Sequence, residues 1–115
     1  MTGTEDGEHE PSQEINPRQR ALLRRLGNPL KPTLLIGKEG LSESLAKQLE
    51  GLLRDHELVK VKLLNTVTQD RHEMAEELAK ASRSALVQLI GRTVLLYRKN
   101  RKAPRIQLDG LGEGD

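Results

Sequence analysis

The residues best suited to chemistry are the four of the segment Gly37-Lys38-Glu39-Gly40. They follow the apolar run Leu34-Leu35-Ile36 and precede a helix predicted to start near Ser42. Backbone N–H groups at a helix N-terminus lack intrahelical partners, so they favour an anion. Neither glycine has a Cβ atom, so a phosphodiester backbone could approach closely, and Lys38 adds a positive charge. The pattern predicts a phosphate-binding loop; the alternative is an ordinary strand-to-helix turn, the more common meaning of a lone G-x-x-G.

Catalytic residues are hard to find in the rest of the chain. The three histidines lack the H-x-x-x-H spacing of a zinc site, and there is no cysteine. No serine lies in a G-x-S-x-G elbow, and Lys38 does not fit a Walker A frame. Asp70 and Glu73 flank His72, but helix capping explains this spacing better than acid–base chemistry. We therefore expect that the protein is not an enzyme, and that it has no catalytic residue, no metal, no cofactor and no small-molecule substrate.

Charge is distributed unevenly along the chain, although the formal net charge is only +2. All nineteen Lys and Arg residues fall between Arg18 and Arg105 with nine acidic residues, so this segment carries a net charge of +10. The other eight acidic residues lie near the two ends of the chain, at Glu5, Asp6, Glu8, Glu10, Glu14, Asp109, Glu113 and Asp115. So basic a segment favours a polyanionic partner such as nucleic acid. The alternative is that the charge only keeps a leucine-rich domain soluble.

Composition divides the chain into three parts. Residues 1–16 are polar and acidic without apolar periodicity, which predicts a disordered tail. Residues 17–108 form one folded domain, and residues 109–115 form a flexible acidic tail. Tyr97 is the only aromatic residue, which argues against an RNA-recognition motif, since that sheet stacks bases on several aromatics. No apolar run approaches the roughly 20 residues of a membrane span. With no cysteine and no targeting signal, we expect a cytoplasmic protein without membrane contact.

Hydrophobic periodicity predicts the elements that position the loop. Helices are expected after Asn16 as N-cap, from Ser42 to about Asp55, and after Asp70 as N-cap. Strands are expected over residues 33–36, 57–64, 85–90 and 93–98, with a turn at Gly91-Arg92. The order α-β-α-β-α-β-β predicts an α/β fold with a mixed four-stranded sheet. Strands separated by helices should be parallel neighbours, and the last two strands should form an antiparallel hairpin.

Two expectations about burial follow from the same patterns. Residues 33–36 are apolar throughout and predict a strand buried on both faces. The strand over residues 57–64 alternates, which predicts a solvated face carrying Lys60 and Lys62. The first helix should bury one apolar stripe, formed by Leu22, Leu23, Leu26 and Leu30.

Six motifs in a fixed order carry a resemblance to a known family. They are Arg18-Gln-Arg20, Leu23-Arg24, Asn28-Pro-Leu-Lys-Pro32, Ile36-Gly-Lys-Glu-Gly-Leu41, Glu57-Leu-Val-Lys-Val-Lys62 and Val87-Gln-Leu-Ile-Gly-Arg-Thr-Val-Leu-Leu-Tyr-Arg98. Over about residues 17–108 the chain resembles the CRM domain, and most closely its bacterial single-domain form, the YhbY-type RNA-binding proteins. The resemblance implies a fold similar to the C-terminal domain of translation initiation factor three, preceded by an extra helix and carrying a KH-like G-x-x-G loop. It also implies a role in ribosome biogenesis, through binding to rRNA of the large-subunit (pre-50S) precursor.

The resemblance implies that RNA contacts the loop residues Gly37, Lys38, Glu39 and Gly40. Glu39 departs from that expectation, because an acidic side chain at the tip of the loop opposes phosphate. Outside the loop, the resemblance and the basic clusters together predict RNA-binding residues at Arg18, Arg20, Arg24, Arg25, Lys31, Lys60, Lys62, Arg92 and Arg98. We expect a monomeric RNA-binding protein without catalytic activity. The alternative is a protein–protein adaptor whose basic face docks an acidic partner.

Overall fold

The structure is a computed structural model that describes residues 15–108. The acidic segments 1–14 and 109–115, which hold the predicted tails, lie outside the described residues. In chain order the elements are α1 (Pro17–Gly27), β1 (Leu34–Ile36), α2 (Glu43–His56), β2 (Leu58–Leu63), α3 (Arg71–Ser82), β3 (Ala85–Ile90) and β4 (Thr93–Tyr97). The predicted order of elements is confirmed, and with it the α/β class.

Side-chain caps fix where the first two helices begin. The Asn16 side chain accepts the backbone N–H of Gln19 at 2.8 Å, and the Gln19 side chain accepts the N–H of Asn16 at 2.9 Å. Pro17 occupies the first helical position, where its missing N–H costs no hydrogen bond. Helix α2 is capped by Ser42, whose Oγ accepts the N–H of Leu45 at 3.1 Å. Both predicted caps are therefore confirmed.

The four strands form one mixed sheet in the order β1-β2-β4-β3. Strands β1 and β2 are parallel, and β4 is antiparallel to both β2 and β3. The mixed sheet is confirmed, but β2 and β3 are not neighbours, because β4 lies between them. Residues 94–97 of β4 are all buried. The position between β2 and β3 therefore suits β4, because a central strand removes the most apolar surface from water. The β3–β4 hairpin turns at Gly91, whose φ of +59° suits the first central position of a type II′ turn.

The two faces of the sheet are covered by different helices. On one face α2 and α3 enclose the larger core, which includes Leu49, Leu53, Val59, Val61, Leu63, Met74, Leu78, Val94 and Leu96. On the other face α1 packs over a smaller core of Leu23, Leu58, Val87, Leu95, Tyr97 and Leu108. We call these faces the α2/α3 side and the α1 side. The alternation of β2 places Lys60 and Lys62 on the α1 side; of the solvated face that was predicted, Lys62 is exposed and Lys60 is half-buried.

Helix α1 covers only part of its face of the sheet. A Cβ atom on Gly27 would lie 2.6 Å from Leu95 Cδ2, so the end of the helix approaches β4 closely. The predicted stripe is wrong in part, because Leu23 is fully buried whereas Leu26 is 41% and Leu30 39% exposed. The prediction of a fully buried first strand is also wrong, because Leu35 is 53% exposed. Both errors have one cause: β1 is an edge strand, and α1 packs on β2, β3 and β4 instead.

Candidate nucleic-acid interface

The G-x-x-G segment forms a hydrogen-bonded turn directly after β1. The N–H of Gly40 donates to the carbonyl oxygen of Gly37 at 2.9 Å, which places Lys38 and Glu39 at the exposed tip. Gly40 has a φ of +71°, a conformation that is costly for any residue with a Cβ atom. Helix α2 then begins at Glu43, three residues after Gly40. The predicted strand-turn-helix arrangement is therefore present, with the glycine turn just before the helix N-terminus.

Three other segments meet the G-x-x-G turn at the same edge of the sheet, which we call the loop edge. The N–H of Leu64 donates to Ile36 O at 2.8 Å, so the chain after β2 lies beside the end of β1. The β3–β4 turn is tied to this edge, because Arg92 Nη2 donates to Leu64 O at 3.3 Å. The start of α3 joins it through Arg71, whose Nη1 donates to Gly91 O at 3.0 Å. The fold thus places Arg92 at the loop edge together with Arg71, which sequence reasoning did not single out.

Charges at the loop edge nearly balance. Lys38, Arg71 and Arg92 supply the positive charge, and Glu39, Glu43, Asp70 and Glu73 the negative charge. Asp70 caps α3, since its Oδ2 accepts the N–H groups of His72 at 3.0 Å and of Glu73 at 3.2 Å. The prediction that Asp70 caps this helix is confirmed. The loop edge therefore offers shape and backbone donors, and little net attraction for a polyanion.

Positive charge is concentrated on the α1 side. Residues 15–38 contain six Lys and Arg residues and no Asp or Glu. Arg18, Arg24 and Arg25 of α1 are exposed, as is Lys31 in the link to β1. The sheet adds two lysines on this side: Lys60, whose Nζ donates to Asn28 O at 3.4 Å, and the exposed Lys62.

The cations of the α1 side extend along the surface as far as the G-x-x-G turn. Lys62 pairs in register with Leu35 of β1. Gly37 lies two residues after Leu35, about 7 Å along the strand at the usual rise of a β-strand. The α1 side and the tip of the loop therefore form one surface, with Lys62 between them.

Acidic residues occupy the other side of the sheet. Of the nine between residues 15 and 108, Glu57 is buried. The other eight lie in the G-x-x-G turn, on α2 or α3, or at the α3 cap: Glu39, Glu43, Glu50, Asp55, Asp70, Glu73, Glu76 and Glu77. Among residues 15–108, exposed acidic residues are thus absent from the α1 side, whereas the α2/α3 side mixes them with the exposed cations Lys47, Arg54, Lys80 and Arg83, a distribution that the linear sequence did not reveal.

Two of the predicted RNA-contacting residues, Arg20 and Arg98, form hydrogen bonds within the protein. Arg20 Nη1 donates to Leu86 O at 2.8 Å and to Val87 O at 2.6 Å, at the irregularity in the β3–β4 pairing. Arg20 thereby ties α1 to β3. Arg98 lies at the opposite edge of the sheet, where its Nη1 donates to Ser82 O at 3.3 Å and lies 4.0 Å from a Glu50 carboxylate oxygen. The six residue-to-residue steps from Arg92 to Arg98 span about 20 Å of extended chain, so Arg98 is remote from the loop edge.

The described residues offer neither a metal site nor a membrane-spanning helix. Between residues 15 and 108, no three His, Asp or Glu side chains are grouped so that they could hold a metal ion. Within that range, no helix is both long and apolar enough to cross a membrane.

The fold and this surface define a small basic α/β domain with a G-x-x-G turn between β1 and α2. Residues 15–98 match the family model of the CRS1 / YhbY (CRM) domain. The chain belongs to this family, and the resemblance inferred from the six motifs is confirmed.

Known proteins of similar sequence and structure extend the comparison. A probable RNA-binding protein of Pseudomonas aeruginosa is 45% identical over 84 residues, which cover 73% of this chain and 81% of that protein. The probable RNA-binding protein YqeI of Bacillus subtilis is 37% identical over 91 residues, covering 79% and 95%. The solution structure of a Staphylococcus aureus protein, proposed to bind RNA, is similar with a TM-score of 0.66 and 38% identity. That match covers 75% of this chain and 90% of the other.

Proposed function

We propose that this chain is a non-catalytic RNA-binding protein that acts in the cytoplasm on rRNA of large-subunit (pre-50S) precursors. The observation that carries the proposal is the separation of charge between the two sides of the sheet. The α1 side presents Arg18, Arg24, Arg25, Lys31, Lys60 and Lys62, with no exposed acidic residue among residues 15–38 or on β2. Such a surface attracts a polyanion, and it repels an acidic partner less than the α2/α3 side does. The sequence relatives named as RNA-binding proteins make RNA the best-supported polyanion.

The G-x-x-G turn and the α1 side contribute in different ways. At the turn, the glycine backbone permits close approach, Lys38 supplies one charge, and the N-terminus of α2 favours phosphate. Because Glu39 offsets Lys38, the turn sets the position of the RNA backbone and the arginines of α1 supply most of the attraction. With roughly six phosphate contacts, affinity should fall by about 10³ between 50 and 200 mM salt.

Among residues 15–108 no Tyr, Phe or Trp side chain is exposed for base stacking. Tyr97 is the only aromatic residue of the chain, and it is buried under α1 with 3% of its surface exposed. RNA-binding modules that read single-stranded bases usually stack them on exposed aromatic side chains. Binding by phosphate contacts and by RNA shape is therefore the mode that this surface supports.

Crosslinking in cells followed by sequencing of the bound RNA tests the proposal. We expect crosslinks concentrated in rRNA of large-subunit precursors, on few and reproducible segments. Crosslinks spread over messenger RNA and transfer RNA in proportion to their abundance would contradict a role in ribosome assembly. They would leave RNA binding itself intact.

A protein adaptor is the second candidate, and the exposed leucines favour it. Leu26, Leu30 and Leu35 are each more than one third exposed, and all three lie next to the cations of the α1 side. An acidic amphipathic partner could use both features. Affinity purification of the full chain with and without RNase discriminates, since partners retained after RNase treatment favour the adaptor and partners lost favour RNA.

A further inference from the structure

The chain beyond β4 contains a second group of cations. We call residues 99–108 the C-terminal arm. It carries Lys99, Arg101, Lys102 and Arg105 without any acidic residue. The arm lies beyond residues 15–98, which match the family model. Nothing in the G-x-x-G turn or in α1 requires these charges, so the arm needs its own explanation.

A buried carboxylate holds the arm in place. Glu57 is fully buried between α2 and β2, and its Oε2 accepts the backbone N–H of Asn100 at 2.7 Å. Its Oε1 accepts the N–H groups of Arg105 and Ile106, both at 2.8 Å. Hydrogen bonds to an ionised carboxylate are among the stronger ones in proteins. Three such bonds from one side chain fold the arm around Glu57.

Further contacts define the shape of the arm. The Asn100 side chain donates to Arg54 O at 2.9 Å and accepts the N–H groups of Lys102 and Ala103 at 3.0 and 3.1 Å. Ile106 and Leu108 then pack into the α1-side core. The arm therefore runs from the edge of the sheet opposite the loop edge onto the α1 side.

This anchoring leaves the cations of the arm at the surface. Arg101, Lys102 and Arg105 are exposed, although the backbone beneath them is fixed. A fixed backbone lowers the entropy that is lost when such a segment binds a ligand. Cations that only kept the protein soluble would gain nothing from an ordered backbone.

We propose that the C-terminal arm is a second site for the RNA backbone, at the edge of the sheet opposite the G-x-x-G turn. This inference rests on the proposed function. It adds the path that the bound RNA strand takes across the protein. The RNA would lie along the α1 side, from Lys38 past the arginines of α1 to Arg101 and Lys102. The stretch from Arg92 to Arg98 separates the two edges by about 20 Å, which roughly six stacked nucleotides span at about 3.4 Å each.

The test compares two double variants of the full chain that remove equal charge. Arg101→Gln/Lys102→Gln removes two cations of the arm, and Lys47→Gln/Lys80→Gln removes two exposed cations of the α2/α3 side. Affinity for a fluorescently labelled oligouridine is measured as a function of salt concentration. We expect the arm variant to lower the steepness of the salt dependence by about 1.4, at about 0.7 per phosphate contact. Its affinity at 0.15 M salt should fall roughly tenfold by the same relation.

The control variant should leave both the steepness and the affinity as in the unmodified chain. Equal losses in the two variants would overturn the inference, because net charge alone would explain them. An unchanged arm variant would overturn it as well while leaving the proposed function standing. An unmodified chain that binds no oligouridine and no structured rRNA fragment would overturn both. All four side chains are exposed, and circular dichroism checks that both variants keep the fold.

Discussion

Glu57 Oε2 accepts the backbone N–H of Asn100 at 2.7 Å, which joins the end of α2 to the chain beyond β4. Glu57 also has a φ of +64°, so its backbone occupies a conformation that side-chain-bearing residues rarely adopt. Its own N–H donates to Leu53 O at 2.8 Å, and its carbonyl oxygen accepts the N–H of Arg98 at 2.8 Å. One residue thus caps the end of α2, directly precedes β2 and holds a distant segment.

Replacing Glu57 tests this junction. In Glu57→Gln, one carboxylate oxygen becomes an NH₂ group that faces a backbone N–H, so at least one buried donor loses its acceptor. We expect the free energy of unfolding to fall by about 2 kcal/mol in urea denaturation, the usual cost of such a loss. Hydrogen exchange should accelerate at the amides of Asn100, Arg105 and Ile106 before it does in β4.

Glu50→Gln is the matched control, because Glu50 lies 4.0 Å from Arg98 at the surface and carries no such bonds. Its effect on stability should stay within about 0.5 kcal/mol, as for other exposed ion pairs. Equal effects of the two substitutions would contradict the anchoring role of Glu57.

Two glycine substitutions should act in opposite directions. Gly40 has a φ of +71°, so Gly40→Ala should destabilise the domain by about 1 kcal/mol. Gly51 lies within α2, and a Cβ atom there would meet only Arg54 Nη2, at 3.5 Å. Gly51→Ala should therefore stabilise by about 0.5 to 1 kcal/mol. Thermal unfolding of both variants checks the pair, and a stabilised Gly40→Ala would refute the turn geometry.

Arg20 and Arg24 lie four residues apart on α1. Substituting the first should affect mainly stability, and substituting the second mainly RNA binding. Arg20 donates to two carbonyl oxygens of β3, so Arg20→Ala should lower stability by about 1.5 to 3 kcal/mol. Arg24 is exposed, so Arg24→Ala should change stability by less than about 0.5 kcal/mol and weaken RNA binding. Urea denaturation and a binding titration on each variant measure both effects. Loss of stability in Arg24→Ala, with none in Arg20→Ala, would contradict the structure.

Neighbouring residues at the tip of the G-x-x-G turn should affect RNA binding with opposite signs. Lys38→Ala removes the charge that favours phosphate, so affinity should fall alike for RNAs of different sequence. Glu39→Gln removes the opposing charge, so affinity should rise. Both residues are exposed, and neither change should disturb the fold. Titration against two unrelated oligonucleotides is the measurement, and a Lys38→Ala loss confined to one sequence would indicate base readout instead.

Local signals in the sequence predicted most of the elements. Asn16, Ser42 and Asp70 cap the three helices as expected, because capping depends on residues three positions apart or fewer. The alternation of β2 also predicted that Lys60 and Lys62 lie on the face opposite Val59, Val61 and Leu63. Patterns of this kind need no knowledge of the rest of the fold.

Features that depend on packing between distant segments were not predicted. The insertion of β4 between β2 and β3 decides which strands are neighbours, and nothing local to β2 encodes it. The contact of Arg20 depends on an irregularity in the pairing of β3, and the role of Glu57 on a segment more than forty residues away. One signal was available for Glu57: it is the only acidic residue in the run Glu57–Leu64, next to residues that are otherwise apolar or basic.

Nuclear magnetic resonance of the isotope-labelled full chain, titrated with oligouridine, tests most directly whether RNA binds the α1 side. Amide shifts should change in α1, around Lys31, at Lys60 and Lys62, and in the G-x-x-G turn. The exposed surfaces of α2 and α3, away from the first turn of each helix and from the last turn of α2, should show no change. Shifts concentrated on α2 and α3, with α1 unaffected, would contradict the proposal that charge separation directs RNA to the α1 side.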